Sequence, residues 1–319
     1  MALFRRFLFC LASLPLIADE QVFHHFPSEI TPSPWFTGPL IAPSGYTVPM
    51  GHWNLQPYLY YTVNTGRYDR HWKPHSTPHF HSIILQAQVK IGLLTWMDCQ
   101  FFPQVIWNET QKQHDWGFGD IPIGVNFQLV SSAFEDPWPA IKLALRANIP
   151  SGTYQHLNPH RKKTDALGAG SWLPGIGIIA SKILHLSGIH DLDLRLAVMY
   201  FIGTGVHVKG LNTYGGSRTT HGTVYPGNQL SVDAAFQYSL TQRWALACDL
   251  VYNSTNKTRF SGKTTAAMKA PSNEQWSVAP AIEYNWSDEL GIIVGPWLSL
   301  AGRNAVQFWS GIVAFNAYF

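Results

Sequence analysis

Beyond its first 18 residues the chain lacks any uninterrupted apolar run of the roughly 18 residues that a membrane-spanning helix needs. That excludes a helical membrane protein and leaves strands as the only means of crossing a bilayer. Charge is also scarce: Asp, Glu, Lys and Arg make up 13% of the residues, about half the usual globular share. The net charge is +3, and the basic residues are scattered among Trp, Tyr and Gly without a stripe or a nucleic-acid motif, which excludes nucleic acid as a partner. Cysteine is nearly absent. Cys99 and Cys248, the two beyond the leader, are too few for a disulfide scaffold and are expected as free thiols.

What is present is hydrophobic but interspersed: 46% of residues are hydrophobic and 14% aromatic, yet the mean hydropathy is −0.05. Residues 1–18 place Arg5 and Arg6 ahead of an apolar run that ends at Ala18, the pattern of a secretory signal peptide. Cys10 lacks the small residues before it that a lipid anchor requires. Residues 19–49 carry Pro27, Pro32, Pro34, Pro39, Pro43 and Pro49 and show little alternation, so neither a strand pair nor a long helix is expected there. Such a segment either hangs at the periplasmic mouth or plugs the lumen in part, and Trp35, Phe36, Leu40 and Ile41 argue for the lumen.

From residue 50 onward, alternation of period two recurs. Ile83, Leu85, Ala87, Val89, Ile91 and Leu93 are apolar, while Ser82, Gln86, Gln88 and Lys90 lie between them. One face suits lipid and the other water. The same reading gives strands at Trp53–Val63, His79–Leu94, Met97–Val105, Ile121–Leu129, Ile141–Ile149, Trp172–Lys182, Leu192–Tyr200, Leu230–Tyr238, Trp244–Tyr252, Trp276–Trp286, Leu290–Leu300 and Ala305–Phe319, with Trp172–Lys182 the weakest. The fold expected is an all-β, antiparallel, membrane-spanning barrel of about twelve strands over residues 50–319. Long joins at 65–78, 108–118, 152–171, 206–227 and 255–272 alternate with short ones, and the even strand number puts both termini in the periplasm. Phe315 and the terminal Phe319 resemble the signal read by the outer-membrane barrel-assembly machinery. Outer-membrane lipid and lipopolysaccharide are the expected surroundings.

Parity directs Lys90, Asp98, Asp120, Lys142, Arg146, Asp191, Asp193, Arg195, Asp233, Asp249 and Glu283 to the lumen. Charges of both signs inside a barrel either line a selective pore or pair into a salt-bridged filling. His71, His75, His79 and His81 cluster without a carboxylate or Cys at tight spacing, so no metal is expected and a polar rim explains them better. Ser187 with His190, and Ser217 with His221, fall in turns or loops, away from the paired positions that nucleophilic catalysis at a lipid boundary needs. No cofactor is implied.

Three short motifs complete the reading. Pro34–Pro43 (PWFTGPLIAP) precedes the first strand, Trp116–Asp120 (WGFGD) leads into the fourth, and Asn148–Gly152 (NIPSG) ends the fifth. Together they resemble the outer-membrane family named for the MetA pathway of phenol degradation. That resemblance implies a barrel that transports small, hydrophobic or aromatic solutes, and brings no catalytic residues. The expected function is therefore a channel for small solutes. The alternatives are a non-conducting barrel that uses loops 152–171 and 206–227 for contact, and an outer-membrane lipid-modifying enzyme.

Overall fold

Alternating side chains fit the architecture, because a strand with one apolar and one polar face is satisfied where lipid lies on one side of the sheet and a polar interior on the other. A computed structural model of the chain describes residues 35–133 and 136–319. The expected signal peptide, 1–18, and the first part of the proline-rich segment, 19–34, lie outside the described residues.

The wall begins with β1 (Trp53–Tyr68), β2 (Pro74–Leu94), β3 (Met97–Phe101), β4 (Gln104–Thr110), β5 (Gln113–Phe118), β6 (Ile121–Val130) and β7 (Ala140–Ile149). It continues with β8 (Gly175–Ser187), β9 (His190–Phe201), β12 (Gln229–Ser239), β13 (Trp244–Thr255), β15 (Asn273–Asn285), β16 (Leu290–Arg303) and β17 (Val306–Tyr318). Every pairing is antiparallel, and β1 closes the ring by pairing with both β2 and β17, for example Tyr58 with Gln86 and with Ala314. β3 and β4 form one wall strand interrupted at Phe102 and Pro103, where proline has no N–H to give. β5 and β6 form the next, interrupted at Gly119 and Asp120. The closed barrel therefore has twelve strands, as the alternation predicts.

The faces sort as expected. On β9 Leu194, Leu196, Val198 and Tyr200 are exposed outward, whereas Asp191, Asp193 and Ala197 are buried inside. Aromatic rings meet near strand ends, Trp244 against Tyr284 at 4.7 Å and Tyr252 against Trp276 at 4.8 Å, the interfacial placement that Trp and Tyr favour. At the seam, Trp53 and Phe319 exchange backbone hydrogen bonds of 3.0 and 2.8 Å.

The joins depart from expectation. Segments 65–78 and 108–118 are not long loops: β1 and β2 run on to a turn over 69–73, and β4 meets β5 at Gln111 and Lys112, both with positive φ. Their outer halves are mostly polar on both faces, so they carry little lipid-face signal although pairing continues through them, past a register shift at Asn64 and Gly66. Likewise 206–227 and 255–272 supply β10 (Val206–Lys209), β11 (His221–Tyr225) and β14 (Arg259–Lys263), a separate three-stranded sheet. Segment 152–171 is the one that stays mostly irregular, with a single 3-10 turn at Pro159–Arg161. β8 starts at Gly175 rather than Trp172.

The turn after β1 is built on Asp69. Its carboxylate accepts from the His75 ring at 3.0 Å and from the backbone N–H groups of His71 and Lys73 at 2.7 and 3.0 Å. The His75 bond above all, then the backbone bonds, lower its pKa to about 2. A carboxyl lowered from its unfolded value of about 3.9 stabilises the turn above that value and loses the contribution as pH falls toward the folded one. Hydrogen exchange, corrected for intrinsic rate, is expected to show the His71 and Lys73 amides protected at pH 5 and unprotected at pH 2. In Asp69→Ala they should be unprotected at both.

Candidate functional site

A proline-rich strip cannot join a sheet, yet any N–H or C=O it buries still needs a partner. Residues 35–50 solve this by running along the inside of the barrel at its short-turn end, where inward side chains take the place of a neighbouring strand. Trp35 N–H donates to the Gln242 carbonyl at 3.0 Å in the β12–β13 turn, and the Asn285 amide donates to the Trp35 carbonyl at 3.0 Å. Thr37 N–H donates to the Glu283 carboxylate. Asp249 accepts three consecutive N–H groups, from Leu40 at 3.1 Å, Ile41 at 3.3 Å and Ala42 at 2.8 Å. Arg195 donates to the Ala42 carbonyl at 3.3 Å, and Lys142 to that of Tyr46 at 3.1 Å. Gly45 and Thr47 N–H groups donate to Ser181 Oγ and Gln128 Oε1, both at 2.7 Å, and Val48 N–H donates to Asp98 at 2.9 Å.

Two glycines permit this approach. A Cβ on Gly45 would lie 2.5 Å from the Ser181 backbone nitrogen, and one on Gly92 would lie 1.8 Å from the Pro49 carbonyl oxygen. The strip is also anchored by packing. Leu40 is 2% exposed and belongs to an apolar cluster with Tyr58, Ala247, Ala279, Ile293, Ile312 and Ala314. A second apolar cluster, Ala144, Ile179, Ala197 and Met199 with Phe201 against it, lies on the inner faces of β7, β8 and β9.

The eleven charges singled out by parity therefore have unequal roles. Asp98, Lys142, Arg195, Asp249 and Glu283 hold the strip. Asp193 pairs with Arg195 at 2.7 Å, the one carboxylate–guanidinium pair among the eleven in the described residues. Lys90 donates to Gln56 at 3.1 Å, and Arg146 to the Leu145 carbonyl at 3.0 Å. Asp191 contacts the His185 ring at 2.7 Å near a short turn. Both oxygens of Asp233 are buried without a partner. Asp120 stands apart, accepting from Gly152 N–H at 3.0 Å and Ala169 N–H at 2.7 Å, so that it clamps loop 152–171. With Ser151 Oγ donating to the Gly119 carbonyl at 2.8 Å, this brings the WGFGD and NIPSG motifs into contact. Phe315 and Phe319 are exposed on the outer face beside the seam.

Neutral groups were not among the site residues expected from the sequence, although alternation turns Gln128 and Asn285 inward: Ser181, Gln128 and Asn285 hold the strip as directly as the charges do. Their inward parity was the available signal. Among the described residues no three His, Cys, Asp or Glu form a group able to hold a metal. Ser217 Oγ contacts the hydroxyls of Thr219, Thr220 and Thr265.

No protein-family model matches the chain, and no curated protein matches it. A solved outer membrane channel from Pseudomonas putida F1 does, with 12% identity and a TM-score of 0.62 over 93% of this chain and 100% of that one. The fold is that of a bacterial outer-membrane barrel. The NanC porin overlaps at a TM-score of 0.44, with 8% identity over 82% of this chain and 98% of that one. The autotransporter β domain of Bordetella BrkA overlaps at 0.44, with 9% identity over 84% and 99%. Both overlaps are too low to separate one kind of barrel from another.

Hydrogen bonds to a charged group contribute about 1.5–3 kcal/mol each, so removing the Asp249 carboxylate should loosen the strip while leaving the wall closed. Thiol labelling of an Ala42→Cys probe is expected to accelerate at least about tenfold when Asp249→Ala is added. Unchanged labelling would show that the remaining bonds and the packing of Leu40 fix the segment without Asp249.

Proposed function

We propose that the protein is an outer-membrane channel for small apolar solutes, restricted by its own residues 35–50. The observation that carries this reading is the strip itself: a separate piece of chain, held mainly by side-chain bonds to its backbone, occupies the route a solute would take. Hydrogen bonds of this kind can be exchanged without opening the wall. The apolar inner cluster on β7, β8 and β9 favours solutes with little charge, and the resemblance to the family named for the MetA pathway agrees with aromatic ones. Trp35, the first described residue, and Phe319 lie at the short-turn end, which we assign to the periplasm, with β10, β11, β14 and loop 152–171 outside. Phe315 and Phe319 then serve assembly of the closing strand.

The strip inside the lumen also favours a second reading, a non-conducting barrel that works through its outer loops. The two diverge on displacement of the strip. Gly92→Leu drives a side chain into the Pro49 carbonyl, and is expected to raise conductance in planar bilayers above the low level of the parent chain. Cells carrying the parent barrel should take up labelled phenol several-fold faster than cells without it. Equal uptake together with a silent Gly92→Leu variant would sink the channel and leave the structural reading.

A further inference from the structure

The small sheet β10–β11–β14 has two unlike faces. Val206, Val208 and Val224 point inward into a core with Met268, against which Tyr154, Tyr214 and Phe260 pack. The alternate positions point outward: His207 and Lys209 on β10, His221, Thr223 and Tyr225 on β11, and Arg259, Ser261 and Lys263 on β14. Registers place them side by side, Lys209 opposite His221, His221 opposite Lys263, and Tyr225 opposite Arg259.

This outer face carries charge of one sign. Residues 203–228 and 256–272, which build the sheet and its joins, contain Lys209, Arg218, Lys257, Arg259, Lys263 and Lys269 and no Asp or Glu. Whole-chain composition hides this, since acids and bases nearly balance overall. None of the six pairs with a carboxylate among the described residues. Lys209, Lys257, Arg259 and Lys263 are exposed. At the foot of the face, where three neighbouring strands break together at 202–205, 226–228 and 256–258, lies an open cavity of about 710 Å³. Lys257, Arg259, Asn228, Asn256, Tyr225 and Phe260 are among its lining residues.

Position determines what such a face meets. Directly below it the wall strands β9, β12 and β13 turn apolar side chains outward, and next come the Tyr252–Trp276 pair and the Tyr200 hydroxyl, which accepts from the Asn228 amide at 2.8 Å, residue types that favour the level where lipid chains give way to headgroups. Cations just above that level attract anionic headgroups, and Arg and Lys together supply a fork and a point charge for phosphate. We infer that the outer face of β10–β11–β14, with the cavity at Lys257 and Arg259, binds the phosphates of a phosphorylated glycolipid in the outer leaflet. The inference rests on the orientation proposed above and not on conduction.

The test uses the full chain in detergent micelles and native mass spectrometry. The probes are a bisphosphorylated glycolipid, its dephosphorylated counterpart and inorganic phosphate. The parent chain should retain the phosphorylated lipid in preference to the other, and free phosphate at equal concentration should not displace it. Lys257→Glu with Arg259→Glu should weaken retention roughly tenfold to hundredfold. Lys209→Gln with Lys263→Gln, a milder change, should weaken it less while heat-modifiable migration confirms a folded barrel. Equal retention of the two lipids, displacement by free phosphate, or undiminished retention in both folded variants would overturn the inference. Labelling of Lys263→Cys by an impermeant maleimide on intact cells checks orientation separately. Labelling supports the outer-leaflet source, and its absence overturns that source whatever the conductance result.

Discussion

A backbone amide removed from water must find an acceptor, and a membrane supplies none. In the wall that demand is met by neighbouring strands, and it forces closure: β1 pairs with β17 on one side and with β2 on the other, leaving no edge in the apolar belt. In the lumen the same demand falls on residues 35–50, which have no strand beside them. There the acceptors and donors are side chains of the wall, foremost the Asp249 carboxylate with three consecutive N–H groups. One constraint thus produces a closed shell and, inside it, a segment attached by side-chain bonds rather than strand pairing.

This changes what a charged lumen means. Charges of both signs in a barrel suggest either a selective pore or mutual neutralisation, and five of the eleven bond a segment of the chain itself. Asp98, Asp249 and Glu283 accept backbone N–H groups, while Lys142 and Arg195 donate to carbonyls of the same strip. A peptide backbone carries donors and acceptors in alternation, so a wall that binds one requires inward groups of both kinds. The mixed signs of these five match a ligand that is the chain's own backbone.

The wall was legible because lipid imposes period two wherever it touches a strand. Each expected strand overlaps one in the structure, and even the weakest, Trp172–Lys182, is displaced by only a few residues. Legibility stopped at the membrane boundary. The outer parts of β1, β2, β4 and β5 stay paired, past a register shift at Asn64 and Gly66, but they offer little apolar alternation to read. β10, β11 and β14 were missed for a related reason: each is only four or five residues long. In the candidate site, parity found the charged groups that hold the strip but passed over Ser181, Gln128 and Asn285, since uncharged polar residues are unremarkable in any sequence.

The sequence by itself determined that the chain forms a closed antiparallel barrel, which face of each strand meets lipid and which side chains turn inward. These are local properties, written at a spacing of two residues. Which inward groups act together was decided only by tertiary structure. Thr37 and Glu283 lie 246 residues apart in the chain, and Leu40 and Asp249 lie 209 apart; they meet because closure wraps the wall around the strip. The outer basic sheet arose in the same way, from two acid-free segments that pairing of β11 with β14 brings into one face.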